Sequence, residues 1–75
     1  MGQLLKKDDK EADRLVLAII QLSLVETTIP MIEGWLRVHG WGHYSIFDVR
    51  DAVYRLIESG LVELTEKLHI KPKEI

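Results

Sequence analysis

Three histidines, His39, His43 and His69, are the side chains best suited to hold a metal ion. His39 and His43 stand four apart, a spacing that sets two ligands on one face of a helix. Gly40 and Gly42 lie between them, however, so a helix is disfavoured there and the spacing loses its meaning. His69 falls in a segment of alternating pattern, with no carboxylate placed beside it by a recognisable motif. The chain has no cysteine, which removes both a thiolate zinc site and a disulfide framework. These histidines read as loop or surface residues, and no metal or cofactor is expected.

Nucleophilic catalysis needs a hydroxyl beside a base that a third group orients. Ser23, Thr27, Thr28, Ser45, Ser59 and Thr65 fall mostly at expected helix ends or on a hairpin turn, where hydroxyls serve the backbone. The stretch Gly40-Trp41-Gly42 lacks the preceding strand that a phosphate-binding loop requires. No enzyme is expected. What remains is recognition chemistry, and its candidates, Arg50, Tyr54 and Arg55, fall together on one expected helix.

The elements that must position them are few. Seventy-five residues allow one small domain, 1–75, and 47% apolar residues suffice for its core. Mean hydropathy is close to zero, unlike a disordered tail or a membrane protein. The opening MGQLLKKDDKEADR has no apolar core of a signal peptide, and Lys6 stands where myristoylation wants Ser or Thr. The longest apolar run, Leu15 to Ile20, is far short of a bilayer span. A soluble, cytoplasmic domain with no membrane partner is expected. The net charge is −2, with residues 45–60 at −1 and 61–75 at zero, so no basic face stands out in the sequence.

Asp8 and Glu11 have capping-box spacing and open a first helix over about 8–25. Positions 12, 15, 16, 19 and 22 trace its apolar face, and Leu17, Ile20 and Leu24 add a second strip. Thr28 caps a second helix over about 28–39, with Pro30 in its first turn and Ile32, Trp35 and Leu36 on one face. Gly40 and Gly42 end it, and Trp41 and Tyr44 are expected to tuck against the core. Ser45 with Asp48 opens a third helix over about 45–60, whose buried stripe is Ile46, Val49, Ala52, Val53, Leu56 and Ile57. Beyond Gly60 the period changes to two. Val62 and Leu64, then Leu68 and Ile70, predict a hairpin over about 61–71, with Thr65-Glu66-Lys67 as its connection and Pro72 closing it.

Three helices and a hairpin, mainly α with a small β element, resemble the winged helix-turn-helix family. The likeness is densest over 49–64, where Val49, Leu56 seven residues on, and Gly60-Leu61-Val62 meet the pattern of bacterial transcription regulators of the MarR, ArsR and PadR types. The resemblance implies a DNA-binding regulator whose third helix enters the major groove. Ser45, Phe47, Asp48, Arg50, Asp51 and Tyr54 would then face duplex DNA, and Arg55 would join Arg50 and Tyr54 in binding it. Lys67 and Lys71 would reach the neighbouring backbone from the wing. Position 51 departs from the family, which commonly has a base there, and Asp48 adds a second acid. The alternative is that both arginines balance the acids on a solvated face.

Similar regulators often dimerise through terminal helices, and the strip Leu17, Ile20 and Leu24 is the expected homodimer seam. The other possibility is that Leu4 and Leu5, or the chain's own hairpin, cover it. A protein-interaction module without DNA binding is the competing function, favoured by the acidic balance and the apolar first helix.

Overall fold

The computed structural model describes residues 7–23 and 26–73. The first helix, α1, runs Asp9–Leu22 and is capped by Asp8, whose carboxylate accepts from the Lys10 N–H at 2.9 Å. Asp9 and Glu11 place negative charge at the positive end of the helix dipole. The reciprocal box expected of Asp8 and Glu11 takes a different form, because the Tyr44 hydroxyl stands between them. It accepts from the Asp8 N–H at 3.2 Å and donates to the Glu11 carboxylate at 2.6 Å. A loop residue thus completes the cap of a helix more than thirty residues earlier in the chain.

The second helix, α2, runs Ile29–Val38 with Thr28 as cap and Pro30 in its first turn. Gly40, at φ +90°, turns the chain out of the helix, and the Trp41 N–H donates to the Leu36 carbonyl at 2.7 Å. The third helix, α3, runs Ile46–Glu58. Ser45 and Asp48 form a full capping box at its start, and Gly60, at φ +78°, lets the chain leave its end. The connection Gly40 to Tyr44 is therefore a structural joint: Tyr44 is buried and Trp41 packs half-buried against the core.

Strands β1 (Val62–Leu64) and β2 (Ile70–Pro72) pair antiparallel with Leu64 opposite Ile70 and Val62 opposite Pro72. The alternation expected over Leu68 to Ile70 fails at Leu68, which lies in the turn at φ +63°. The connection is accordingly longer than Thr65 to Lys67. It is closed by the Leu68 N–H donating to the Thr65 carbonyl at 2.9 Å and the His69 N–H donating to the Thr65 hydroxyl at 3.1 Å. Thr27, expected only as a hydroxyl near a helix end, pairs as an isolated bridge with Ile70 through bonds of 3.1 and 2.6 Å. The hairpin is thereby tied to the α1–α2 connection. The result is the three-helix, winged-helix-like fold that the pattern predicted, mainly helical with a two-stranded antiparallel hairpin.

One core joins these elements. From α1 it takes Ala12, Val16 and Ile20, from α2 Ile32 and Leu36, and from α3 Val49, Ala52, Val53 and Leu56, with Val62 and Ile70 from the hairpin. Full burial of each Val or Ile contributes about 1.5–3 kcal/mol relative to exposure. The residues expected at the dimer seam sit as follows. Ile20 is 1% exposed inside its own chain, and Leu17 packs half-buried against the same core, because α3 and β2 cover that side of α1. Leu24, like Leu4 and Leu5, lies outside the described residues. Three further positions differ from expectation. Leu22 and Trp35, expected on apolar faces turned to the core, are both exposed. Ile46, placed in the buried stripe of α3, is exposed as well.

Candidate recognition surface on the third helix and hairpin

The exposed face of α3 follows from its buried one. With Val49, Ala52, Val53 and Leu56 turned inward, the helical repeat carries Phe47, Arg50, Asp51 and Tyr54 onto a single outward stripe. Phe47 is 61% and Tyr54 50% exposed, so aromatic surface dominates it. The Arg50 guanidinium lies over the Phe47 ring, 5.2 Å from its centroid, a cation–π arrangement. One of its nitrogens is 3.5 Å from the Asp51 carboxylate, the outer limit of a hydrogen bond. Arg50 is thus held between a ring and an acid, and the pair is close to neutral.

Arg55 points elsewhere. Its Nε lies 3.0 and 3.1 Å from the two Asp13 oxygens and its Nη2 2.8 Å from Asp13 Oδ1, a forked grip on α1, with Asp9 at 3.9 Å. The hydrogen bond to Asp13, with the field of Asp13, Asp9 and Asp51, raises the guanidinium pKa above its usual value. The sequence placed Arg55 beside Arg50 as a candidate contact, but it serves as the clamp between α1 and α3. Ser45 is engaged as well: its hydroxyl accepts from the Asp48 N–H and donates to the Asp48 carboxylate at 3.0 Å. Burial pushes the Asp48 pKa up. The Ser45 N–H at 2.7 Å, the Lys7 ammonium at 2.9 Å and the Ser45 hydroxyl outweigh it and hold the group below the usual carboxylate value.

On the hairpin, Lys71 sits 3.2 Å from Glu63, its cross-strand partner. Lys67 is exposed in the turn beside exposed Leu68. His69 Nδ1 is 3.2 Å from Glu26, which fastens the hairpin to the α1–α2 connection. The other two histidines pack against aromatic rings. The His39 ring stacks on Trp35 at 3.9 Å with its Nδ1 on the Trp35 carbonyl, and the His43 ring tilts against Tyr44 at 4.3 Å. No three groups of metal-ligating type come together among the described residues. No described helix is long and apolar enough to cross a membrane.

Sequence reasoning missed a second surface. Between α1 and α2 lies a groove of about 190 Å³ lined by Leu15, Ala18, Ile19, Leu22, Ser23 and Trp35. Its signal in the sequence is the excess of apolar residues on the first helix, where Leu15, Ile19 and Leu22 share a face. Comparison with protein-family models, with curated proteins and with solved structures finds no match to this chain.

Proposed function

We propose that this chain is a protein-recognition module that holds a partner protein on the outward face of α3 and the hairpin tip. The observation that carries the reading is what these two surfaces expose. Phe47, Tyr54 and the hairpin's Leu68 are exposed, while Arg50, the one described guanidinium among them, is matched by Asp51. Aromatic side chains and arginine anchor protein interfaces, where they fill desolvated pockets at little entropic cost. Duplex DNA asks for something different. Its affinity comes largely from cations that displace counterions from phosphates, and residues 45–60 sum to −1. Arg55 and Lys71, two of the expected phosphate contacts, face Asp13 and Glu63.

A second reading, a dimeric DNA-binding transcription regulator, is favoured by the order of the elements and by exposed Lys67 at the turn of a hairpin that packs against α3. One experiment separates the two. Fluorescence anisotropy with a labelled mixed-sequence duplex, titrated with salt, is run on the unaltered chain, Arg50→Ala and Asp51→Asn. With Arg50 and Lys67 as the phosphate contacts, DNA binding would give a log–log slope of roughly −2 per subunit. Asp51→Asn would strengthen that binding and Arg50→Ala would weaken it. The protein-recognition reading expects no binding from any of the three at low salt, and salt-dependent binding of the unaltered chain would overturn it.

A further inference from the structure

We infer that a second copy of this chain docks on the apolar face between α1 and α2, with the two α1 helices antiparallel across a two-fold axis passing between Ala18 and Ile19. This goes beyond the α3 reading and uses a different flank of the molecule. Asp13, which meets α3, lies about half a helical turn around α1 from the Leu15, Ile19 and Leu22 strip. Both surfaces can therefore be occupied at once.

The case for a second copy, over a foreign partner, rests on three features of the face. It is self-complementary: the axis sets Leu15 against the second copy's Leu22 and Ala18 against its Ile19, and small Ala18, exposed, lets the two helices approach. No described residue of its lining is charged: these are Leu15, Ala18, Ile19, Leu22, Ser23 and Trp35. In a two-fold contact each charge near the axis meets its own copy, so an uncharged centre is what such pairing requires. It also has the needed size. Leu22 is 79% exposed, and Met31, Trp35 and Val38, spaced i, i+4, i+7 along α2, are 57, 43 and 78% exposed. Together they leave on the order of 500 Å² of apolar surface per copy, at the upper end for a monomer. Paired, the two faces bury on the order of 1,000 Å², about the least that a specific contact needs. Trp35 is already held by its stack on His39, so ordering it on contact costs little.

Sedimentation equilibrium of the full chain at high micromolar concentration tests the inference. The unaltered chain should be a dimer. Leu22→Glu and Ala18→Glu, both at exposed positions, should raise the dimer dissociation constant by more than about tenfold with the circular dichroism spectrum unchanged. Phe47→Ala, on the α3 face, should leave it unchanged. Because the chain has no cysteine, Ala18→Cys supplies a single thiol near the axis, and oxidation should link two copies. Glu58→Cys at the end of α3 should not link. A monomeric unaltered chain, a dimer that survives both charges, or a dimer lost on Phe47→Ala would each overturn the inference. None of these results depends on whether α3 binds protein or DNA.

Discussion

The bond network around Tyr44 supplies the sharpest test of how this fold is held together. Tyr44→Phe keeps the buried ring and removes one oxygen. That oxygen accepts from the Asp8 N–H at the start of α1 and donates to the Glu11 carboxylate at 2.6 Å. A hydrogen bond to a charged group contributes about 1.5–3 kcal/mol, and an N–H left without its acceptor adds a desolvation cost. Glu11 is only half-buried and water can replace part of what it loses, which argues for the lower half of that range. The expected loss is about 2 kcal/mol, and for a domain of this size that lowers Tm by roughly 8–16 °C. Urea unfolding followed by circular dichroism measures it, and a double-mutant cycle with Glu11→Ala should return a coupling of about 1 kcal/mol.

The same network has a pH signature. Burial first, then the hydrogen bond to Glu11, raises the Tyr44 pKa above its ordinary 10.0. Below that value the hydroxyl is protonated in both folded and unfolded chains. Above it the unfolded chain loses the proton first, so stability should fall as pH rises through 10 towards the folded value. In Tyr44→Phe this alkaline slope should be reduced. A loss of less than about 0.5 kcal/mol at neutral pH, together with an unchanged alkaline slope, would refute the reasoning, because the hydroxyl would then be doing no more than water does.

Two further perturbations probe the local devices. Leu68→Gly should stabilise the chain by about 0.5 kcal/mol in urea unfolding, since the left-handed backbone costs a branched residue roughly 1–2 kcal/mol and glycine returns part of that gain as unfolded-state entropy; a destabilised variant would mean that the exposed Leu68 side chain makes a contact that matters to the fold. Ser45→Ala should cost about 1 kcal/mol by removing the α3 cap. It should also weaken the acid dependence: Asp48 is held below its usual 3.8, so its stabilisation is complete above that pH and is lost as pH falls through the folded value. Unfolding curves collected between neutral pH and pH 2 would show an unaltered acid slope if the Ser45 hydroxyl does not help to hold the Asp48 charge.

What the sequence determined by itself is local. Asp8, Thr28 and Ser45 start their helices where the capping residues stand, and Gly40 and Gly60 end two of them, because caps and left-handed turns depend on a few neighbouring residues. The α3 stripe Val49, Ala52, Val53 and Leu56 was legible for the same reason, since nothing but helical spacing is needed to find it. Tertiary structure decided what that spacing leaves open. On α1 every position from Leu15 to Ile20 is apolar, so periodicity alone does not choose the inward flank; α3 and β2 choose it, burying Ile20 and leaving Leu22 out. Arg55 looked like a contact residue until folding set Asp13, more than forty positions earlier, within hydrogen-bond reach of it. Thr27 found Ile70, and Tyr44 found Asp8 and Glu11, across similar separations. Side chains of one type serve either a surface or a neighbour, and which they serve depends on distances that only the folded chain sets.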